Sequence, residues 1–211
     1  MTEASDLDAL IVKHIGDLEA ARRRIDEVVD PRLLREVSVI MENWAAGLGW
    51  VHKFEDDEQS ISVAPEDWIK RDKDGKINWW FPWFELSSID ADGDLVSASH
   101  LAEFLALEDS STCKALSFCQ DVLGKKVWRN LLKKTAKEMQ ALRDLGFEVD
   151  DREGLVNFPV RLDLEVLKTS FEENDFEEAL APVSAALDRV RQAMPHFQLL
   201  ALAAERLRNE G

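Results

Sequence analysis

The sequence predicts an α+β fold in which a pair of N-terminal helices precedes a Trp-rich antiparallel meander. Three observations support this prediction. Apolar residues repeat with helical spacing over residues 5–48, then with strand-like alternation up to residue 90, and again with helical spacing towards the C-terminus. The chain of 211 residues is long enough to bury a full core. We therefore divide it into an N-terminal helical extension, 1–48, and an α+β domain, 49–211.

The extension is expected to form a helical hairpin. In the first helix only Arg22 interrupts an apolar heptad seam, and the second helix begins at Asp30 and Pro31, an N-cap followed by a proline. Such helices either pack on the sheet or join two chains as a coiled coil, so a homodimer through residues 5–48 is one of two alternatives. The seam residues are Ile11, Ile15, Leu18, Arg22, Ile25 and Val29, then Leu34, Val37, Met41, Trp44 and Leu48.

The meander is expected to contain about three strands: WVHKFE, SISVAP and the run INWWFPWFELSS at residues 77–88. Pro82 cannot donate a hydrogen bond to a sheet, so the third strand is predicted to be an edge or to bulge there. Alternation sends Trp79, Trp83 and Glu85 to one side of this strand. Because both sides are largely apolar, we expect helices to bury the strand on both faces.

The rest of the chain is predicted to be helical at 98–108, 111–123 and 127–145, to return to a short second β segment near 147–164, and to end in helices. In the second β segment Val156 and Val160 are expected on the buried face and Asn157 on the wet face. Pro182 and Pro195 are expected to mark a kink and a break. The two cysteines, Cys113 and Cys119, are too far apart along a helix for a disulfide and are expected to be reduced.

The net charge of −16 argues against general nucleic-acid binding, which relies on Lys and Arg contacts with phosphates. Residues 55–108 hold 14 acids against 4 bases, whereas residues 125–144 hold 7 bases against 2 acids. The acidity either serves solubility or attracts a basic protein partner. We interpret the basic helix at 124–146 as a solvated face balanced by the protein's own acids. Contact with nucleic-acid phosphates and binding of an acidic protein partner are the other two interpretations. No signal peptide or membrane-spanning run is recognisable, so a cytoplasmic location is expected.

Asp90, Asp92 and Asp94 occupy alternate positions before a predicted helix, and this stretch resembles the calcium loop of EF-hand and dockerin modules. The resemblance implies a Ca²⁺ site. Leu95 stands where the loop has Gly, and Leu101 stands where it has a bidentate Glu. An ordinary loop that leads into a helix, with acids near the helix dipole, is the other interpretation.

Two short motifs, Pro65-Glu66-Asp67 and Glu85-Leu86-Ser87, fall on neighbouring predicted strands. With the order of helix, three strands, helix and later strand, they resemble the core of PD-(D/E)XK nucleases. The resemblance implies that Asp67 and Glu85 hold Mg²⁺ for nucleic-acid cleavage. Ser87 stands at the position of the catalytic Lys, which implies a divergent or inactive relative.

Taken together, these features favour a non-enzymatic, acidic interaction protein of the adaptor or inhibitor type, without a cofactor. Its partner is expected to be a protein, and a basic one on the evidence of charge. A metal-dependent nuclease that uses Asp67 and Glu85 is the alternative function, with Mg²⁺ or Ca²⁺ as the alternative ion. The residues predicted to bind the partner are Trp79, Trp83, Asp90, Asp92 and Asp94.

Overall fold

A computed structural model of the chain describes residues 3–55, 60–71, 74, 77–90, 99–106 and 112–210, without the side chains of 3–6, 77–80, 90 and 210. The fold class is α+β, as predicted. The helices are α1 (Glu3–Arg24), α2 (Asp30–Leu48), α3 (His100–Leu105), α4 (Lys125–Lys134), α5 (Ala136–Asp144), α6 (Leu164–Glu173) and α7 (Ala181–Glu210). The strands are β1 (Trp50–Glu55), β2 (Ser60–Pro65), β3 (Ile69–Arg71), β4 (Ile77–Trp80), β5 (Trp83–Asp90), β6 (Thr112–Cys119), β7 (Glu148–Asp150) and β8 (Leu155–Val160).

Within the described chain, six strands form an antiparallel sheet in the order β1-β2-β5-β6-β8-β7. The central strands β5 and β6 pair along their whole length. β3 and β4 pair with each other as a separate hairpin between β2 and β5. Because successive side chains of a strand point to opposite faces, Phe84 and Leu86 mark the apolar face of the sheet, and Trp83 and Glu85 mark the other.

Helices α2 and α7 cover the apolar face. The ring of Phe197 on α7 lies 4.9 Å from that of Phe84 and 4.7 Å from that of Phe118, between ring centroids. Phe147, just before β7, lies 5.3 Å from the same ring. All four side chains are buried, and burying a Phe contributes about 1.5–3 kcal/mol relative to leaving it exposed. The core is therefore centred where α7 crosses the middle of the sheet.

The two N-terminal helices lie in different environments. Leu34, Val37 and Met41 of α2 are buried on the sheet. In α1, every side chain from Leu7 to Arg24 is exposed except His14, which is half-buried. A π-helical turn, Ile25–Val29, joins the two helices, and residue 30 keeps helical backbone angles. The chain consequently passes from α1 into α2 through this turn, with no loop between them.

The helix expected over residues 111–123 is wrong, because residues 112–119 form the central strand β6. The apolar spacing in this stretch fits a helix, but Thr112 and Cys113 are weak helix formers and both neighbouring strands offer hydrogen-bonding partners. Cys113 and Cys119 lie roughly 20 Å apart along this strand. Their thiols are free, so the prediction of reduced cysteines is confirmed.

The Trp-rich stretch is two strands and not one. Phe81 and Pro82, joined by a cis peptide bond, separate β4 from β5. β5 lies between β2 and β6, so of the two alternatives expected at Pro82 the edge strand is wrong for this half, and the run is instead irregular at Pro82. Phe81, Pro82, Phe84 and Leu86 are buried, as expected, whereas Trp83 and Glu85 are half-buried. The side chains of Trp79 and Trp80 lie outside the described residues.

The predicted helix over 127–145 is interrupted at Thr135, where α4 ends and α5 begins. The Thr135 hydroxyl donates to the carbonyl oxygens of Leu131 and Leu132, at 3.0 and 3.2 Å. Such a side chain competes with the backbone for the helix's own acceptors. The interruption therefore has a local cause that helical periodicity does not reveal.

The break expected at Pro195 is also wrong, because α7 runs through it from residue 181 to residue 210. Proline removes one backbone donor, but the buried side chains on both sides of it, Ala193 and Phe197, hold the helix on the core. Among the described helices, α7 included, none combines the length and the apolar character needed to cross a membrane.

The second β segment is confirmed as β7 and β8, which pair with each other and with β6. Val156 and Val160 are buried, as their alternation predicts. Asn157, expected on the wet face, is buried instead, because it lies opposite both Ser117 of β6 and Glu148 of β7. A strand that is paired on both sides is partly covered by the side chains of its neighbours. The alternation of polar and apolar residues along one strand therefore overestimates its exposure to solvent.

An ion pair is buried between α3 and β6. Nζ of Lys114 lies 2.8 Å from Oε2 of Glu103 and donates to the Ser88 hydroxyl at 3.0 Å, and only 3% of the Lys114 side chain is exposed. Burial alone would raise the pKa of Glu103, but hydrogen bonds from His100 and Lys114 outweigh it and lower that pKa to about 2. Because each charge is matched, the pair fixes α3 against the sheet.

We predict that Lys114→Met lowers the free energy of unfolding by about 3 kcal/mol or more, since the Glu103 carboxylate then stays buried without its counter-charge. Urea unfolding followed by circular dichroism measures this loss. As a control, Lys168→Met removes an exposed ion pair with Glu165 and is expected to cost less than about 1 kcal/mol. Equal, small losses for the two variants would contradict the role of the buried pair.

We also predict a pH dependence that originates at Glu103. Its pKa falls from 4.5 in the unfolded chain to about 2 in the folded protein, so its contribution to stability is complete above pH 4.5 and is lost as the pH falls towards 2. The difference in unfolding free energy between wild type and Glu103→Gln should therefore shrink over this range. A constant difference across the same range would show that the carboxylate titrates normally.

Candidate functional site

Trp83 and Glu85 lie next to each other on the half-buried face of β5. Nε1 of Trp83 donates to Oε2 of Glu85 at 2.8 Å. The next residue on this face, Ser87, places its hydroxyl 2.6 Å from that of Ser117 on β6. The structure thus confirms that Trp83 and Glu85 share a side, and it shows that the carboxylate is already engaged by an indole N–H.

Asp67 does not lie on the same face of β5 as Trp83, Glu85 and Ser87; it belongs to a different segment. It is exposed in a 3-10 turn, Glu66–Trp68, that follows β2. The β2 residue opposite Glu85 is Ser62, and the end of the strand at Pro65 lies roughly 10 Å further along. Over the described ranges, no group of three or more His, Cys, Asp or Glu side chains could hold a metal ion. The structure thus places Asp67 beyond the end of β2, whereas Glu85 lies opposite the middle of that strand.

Most of the other predicted binding residues cannot be placed. Asp92 and Asp94 lie outside the described residues, as do the side chains of Trp79 and Asp90. The backbone of Asp90 ends β5 opposite Thr112. The calcium loop and the acidic part of the partner site consequently stay predictions.

The two cysteines lie on the same face of the sheet as Trp83 and Glu85. Burial raises the pKa of Cys119 to about 12 and also raises the pKa of Cys113. Since the thiolate is the form that attacks or binds metals, both side chains are poor nucleophiles and poor ligands at neutral pH.

The basic helix is partly neutralised within the chain. Nζ of Lys125 and Nη2 of Arg129 lie 2.9 and 2.6 Å from Oε2 of Glu153, in the turn between β7 and β8. The hydrogen bond from Lys125 and the charge of Arg129 lower the pKa of Glu153. For these two bases, the predicted balance by the protein's own acids is confirmed.

A concave surface that the sequence did not single out lies between α6 and α7. We call it the α6–α7 groove; its volume is about 710 Å³. Asn174 ends α6 with a positive φ of 60°, and the chain then turns into α7, so the two helices form the walls. Five of the ten lining residues are acids: Glu165, Glu173, Asp175, Glu177 and Glu178, alongside Val166, Thr169, Ser170, Ala181 and Ser184.

Arg32 of α2 holds the turn that shapes this groove. Its guanidinium lies 5.2 Å from the ring centroid of Phe171 and 4.8 Å from that of Phe176, and it donates to Oδ1 of Asn174. The two rings pack edge to face at 4.9 Å. A cation over two aromatic faces is a favourable contact that also fixes orientation. The shape of the groove therefore depends on α2 as well as on its own walls.

The groove has a negative surface charge. All five of its acids are exposed, and residues 163–178 hold seven acids against the single base Lys168. Lys168 forms only an exposed pair with Glu165 at 3.5 Å. Asp175 accepts a hydrogen bond from the backbone N–H of Glu177 at 3.0 Å, which orders the chain between α6 and α7. A concave surface of one sign concentrates partners of the opposite sign.

No family model, no curated protein and no solved structure matches the chain. The interpretation of the groove rests on its own residues. In the sequence, the acid-rich composition of 163–178 was the signal that could have identified it.

We predict that neither wild type nor Glu85→Ala cleaves DNA or RNA in the presence of Mg²⁺ or Mn²⁺. Glu85 accepts a hydrogen bond from Trp83, and Asp67 lies beyond the end of β2. Gel analysis of the incubated nucleic acids is the measurement. Cleavage by wild type that disappears in Glu85→Ala would establish the enzyme instead.

Proposed function

We propose that this chain is a non-enzymatic interaction protein that binds a basic segment of a protein partner in the α6–α7 groove. The groove carries the proposal, since it is concave, about 710 Å³ in volume, and lined by acids at five of ten positions. This volume lies within the roughly 300–1,000 Å³ of ordinary binding pockets. Lys or Arg side chains of a partner would match its charges.

The charge of the whole chain supports the same class of partner. At a net charge of −16, the protein repels nucleic acids and attracts basic polypeptides over several ångströms of solvent. Complementary charge raises association rates and rejects acidic competitors. An adaptor or inhibitor of a basic protein is consistent with this behaviour.

The residues selected from the sequence stay part of the proposal as a second contact region: Trp79, Trp83, Asp90, Asp92 and Asp94. Trp83 is half-buried, so part of this residue's surface is accessible to a partner. In the described part of the chain, we find no observation that favours the nuclease, so we propose no second function.

We further propose that the chain forms a homodimer through its N-terminal region. The sequence suggested residues 5–48 for this contact. Because Leu34, Val37 and Met41 are buried against the sheet, α1 is the part available for it. A cytoplasmic location also belongs to the proposal.

A labelled peptide rich in Lys and Arg tests the groove. We predict that the triple variant Glu173→Gln, Glu177→Gln, Glu178→Gln binds it about tenfold more weakly than wild type, since each exposed ion pair contributes less than about 1 kcal/mol. Fluorescence anisotropy measures the dissociation constant, and added salt should weaken binding by wild type.

The control removes the same number of exposed acids outside the groove, in the variant Glu42→Gln, Asp67→Asn, Glu148→Gln. We expect this variant to bind the peptide nearly as well as wild type. Equal losses in the two triple variants would mean that net charge, and not the groove, attracts the peptide, and the proposed site would be abandoned.

A further inference from the structure

Helix α1 presents a large apolar surface to solvent. Leu7, Ile11, Ile15 and Leu18 are each between 40% and 57% exposed. The helix is 22 residues long, which corresponds to roughly 33 Å. A contiguous apolar surface of this kind marks a contact with another molecule. Its occupant has to offer apolar side chains along the length of a helix.

We propose that α1 and the π-helical turn pair with the same segment of a second copy of this chain, as an antiparallel coiled coil. The inference deepens the proposed homodimer and is independent of the α6–α7 groove. Steps of four and three residues separate Ile11, Ile15, Leu18, Arg22 and Ile25, which is the heptad spacing of a coiled-coil seam. Asp8, three residues before Ile11, continues the seam towards the N-terminus.

The two charged seam residues determine the orientation. In a parallel pair in register, Arg22 would face the partner's Arg22 and Asp8 would face the partner's Asp8, so each layer would bring like charges together. In an antiparallel pair, the acidic end of one helix lies beside the basic end of the other. The charge distribution of α1, with Asp6 and Asp8 near one end and Arg22, Arg23 and Arg24 at the other, is complementary only in this orientation.

One antiparallel register uses the whole seam. It places Ile15 opposite the partner's Leu18, Ile11 opposite the partner's Arg22, and Asp8 opposite the partner's Ile25. Arg22 then lies one layer from the partner's Asp8, within reach of an ion pair. In the same register residue 4 lies opposite residue 29 of the second copy, so α1 and the π-helical turn overlap along nearly their whole length.

Two features of the single chain are compatible with this pairing. Arg22 lies 3.8 Å from Asp26, but both side chains are more than half exposed, so the guanidinium can also bind a second carboxylate. The helix is interrupted at His14, where φ is −110° and ψ is 16°. His14 precedes Ile15 by one residue and flanks the seam, so in the pair the two interruptions at His14 lie near the centre. The outermost seam residue, Ile25, is the first residue of the π-helical turn.

Sedimentation equilibrium of the full chain over a wide concentration range tests whether the dimer forms. We expect a dimer that Leu18→Asp converts to a monomer while the circular dichroism of the folded body is kept. Leu202→Asp on α7 is the matched control, because Leu202 is 52% exposed and Leu18 is 47% exposed. A wild-type protein that is monomeric throughout, or a control that dissociates equally, would overturn the proposal.

Charge reversal tests the orientation. Arg22→Glu should raise the dissociation constant of the dimer by about fivefold, because two exposed charge pairs become repulsive. Adding Asp8→Arg to the same chain should restore the wild-type value, although the carboxylate introduced by Arg22→Glu would still face Asp26 within its own helix. A parallel dimer would respond to neither change, since each reversal would replace one like-charged pair with another.

Cysteine pairing tests the register. After oxidation, a mixture of Ile15→Cys and Leu18→Cys proteins that differ in mass should give a disulfide-linked heterodimer, and each variant alone should give little homodimer. Homodimers of each variant alone would overturn the antiparallel arrangement. Peptide binding by Leu18→Asp identifies which proposal fails, because the groove should keep its affinity whether or not the dimer exists.

Discussion

The fold depends on the contact that Phe197 makes with Phe84 and Phe118 at the middle of the sheet. A sheet with one strongly apolar face needs a cover, and α2 supplies it over β1 and β2. α7 supplies it over β8 and, through Phe197, over the central strands. With α2 and α7 in these positions, α1 extends from the body with its side chains exposed. The same placement of α7 sets one wall of the acidic groove.

The predictable parts of the fold are those in which the sequence pattern and the tertiary environment agree. The seam of α2 and the alternation of Val156 and Val160 both lie on surfaces that meet the core on one side only, so their periodicity is directly visible. β6 was mistaken for a helix because a central strand needs no alternation, and its partners in β5 and β8 are distant in sequence. The pairing of β6 with β5 and β8 determines its conformation, and the local sequence pattern does not encode this pairing.

In the candidate site, too, some features follow from the local sequence pattern and others depend on tertiary contacts. Alternation along a strand was enough to place Trp83 and Glu85 on one side, but not to show that one donates to the other. The groove depends on contacts between Arg32 and two rings that are about 140 residues further along the chain. The acidic composition of the groove is visible in the sequence. Its concave shape depends on how α6 and α7 pack against each other, which the sequence pattern does not reveal.

Asp30 connects regions that would otherwise be separate. It is the first residue of α2, and its two carboxylate oxygens accept the backbone N–H groups of His100 and Leu101, both at 2.8 Å. The π-helical turn that joins α1 to α2 ends directly before it. A displacement of the helical segment between His14 and Asp30 would therefore act on the start of α3, and from there through Glu103 on Lys114 in the centre of the sheet. Asp30 therefore couples the N-terminal helical segment to α3 and, through the buried ion pair, to the central strand β6.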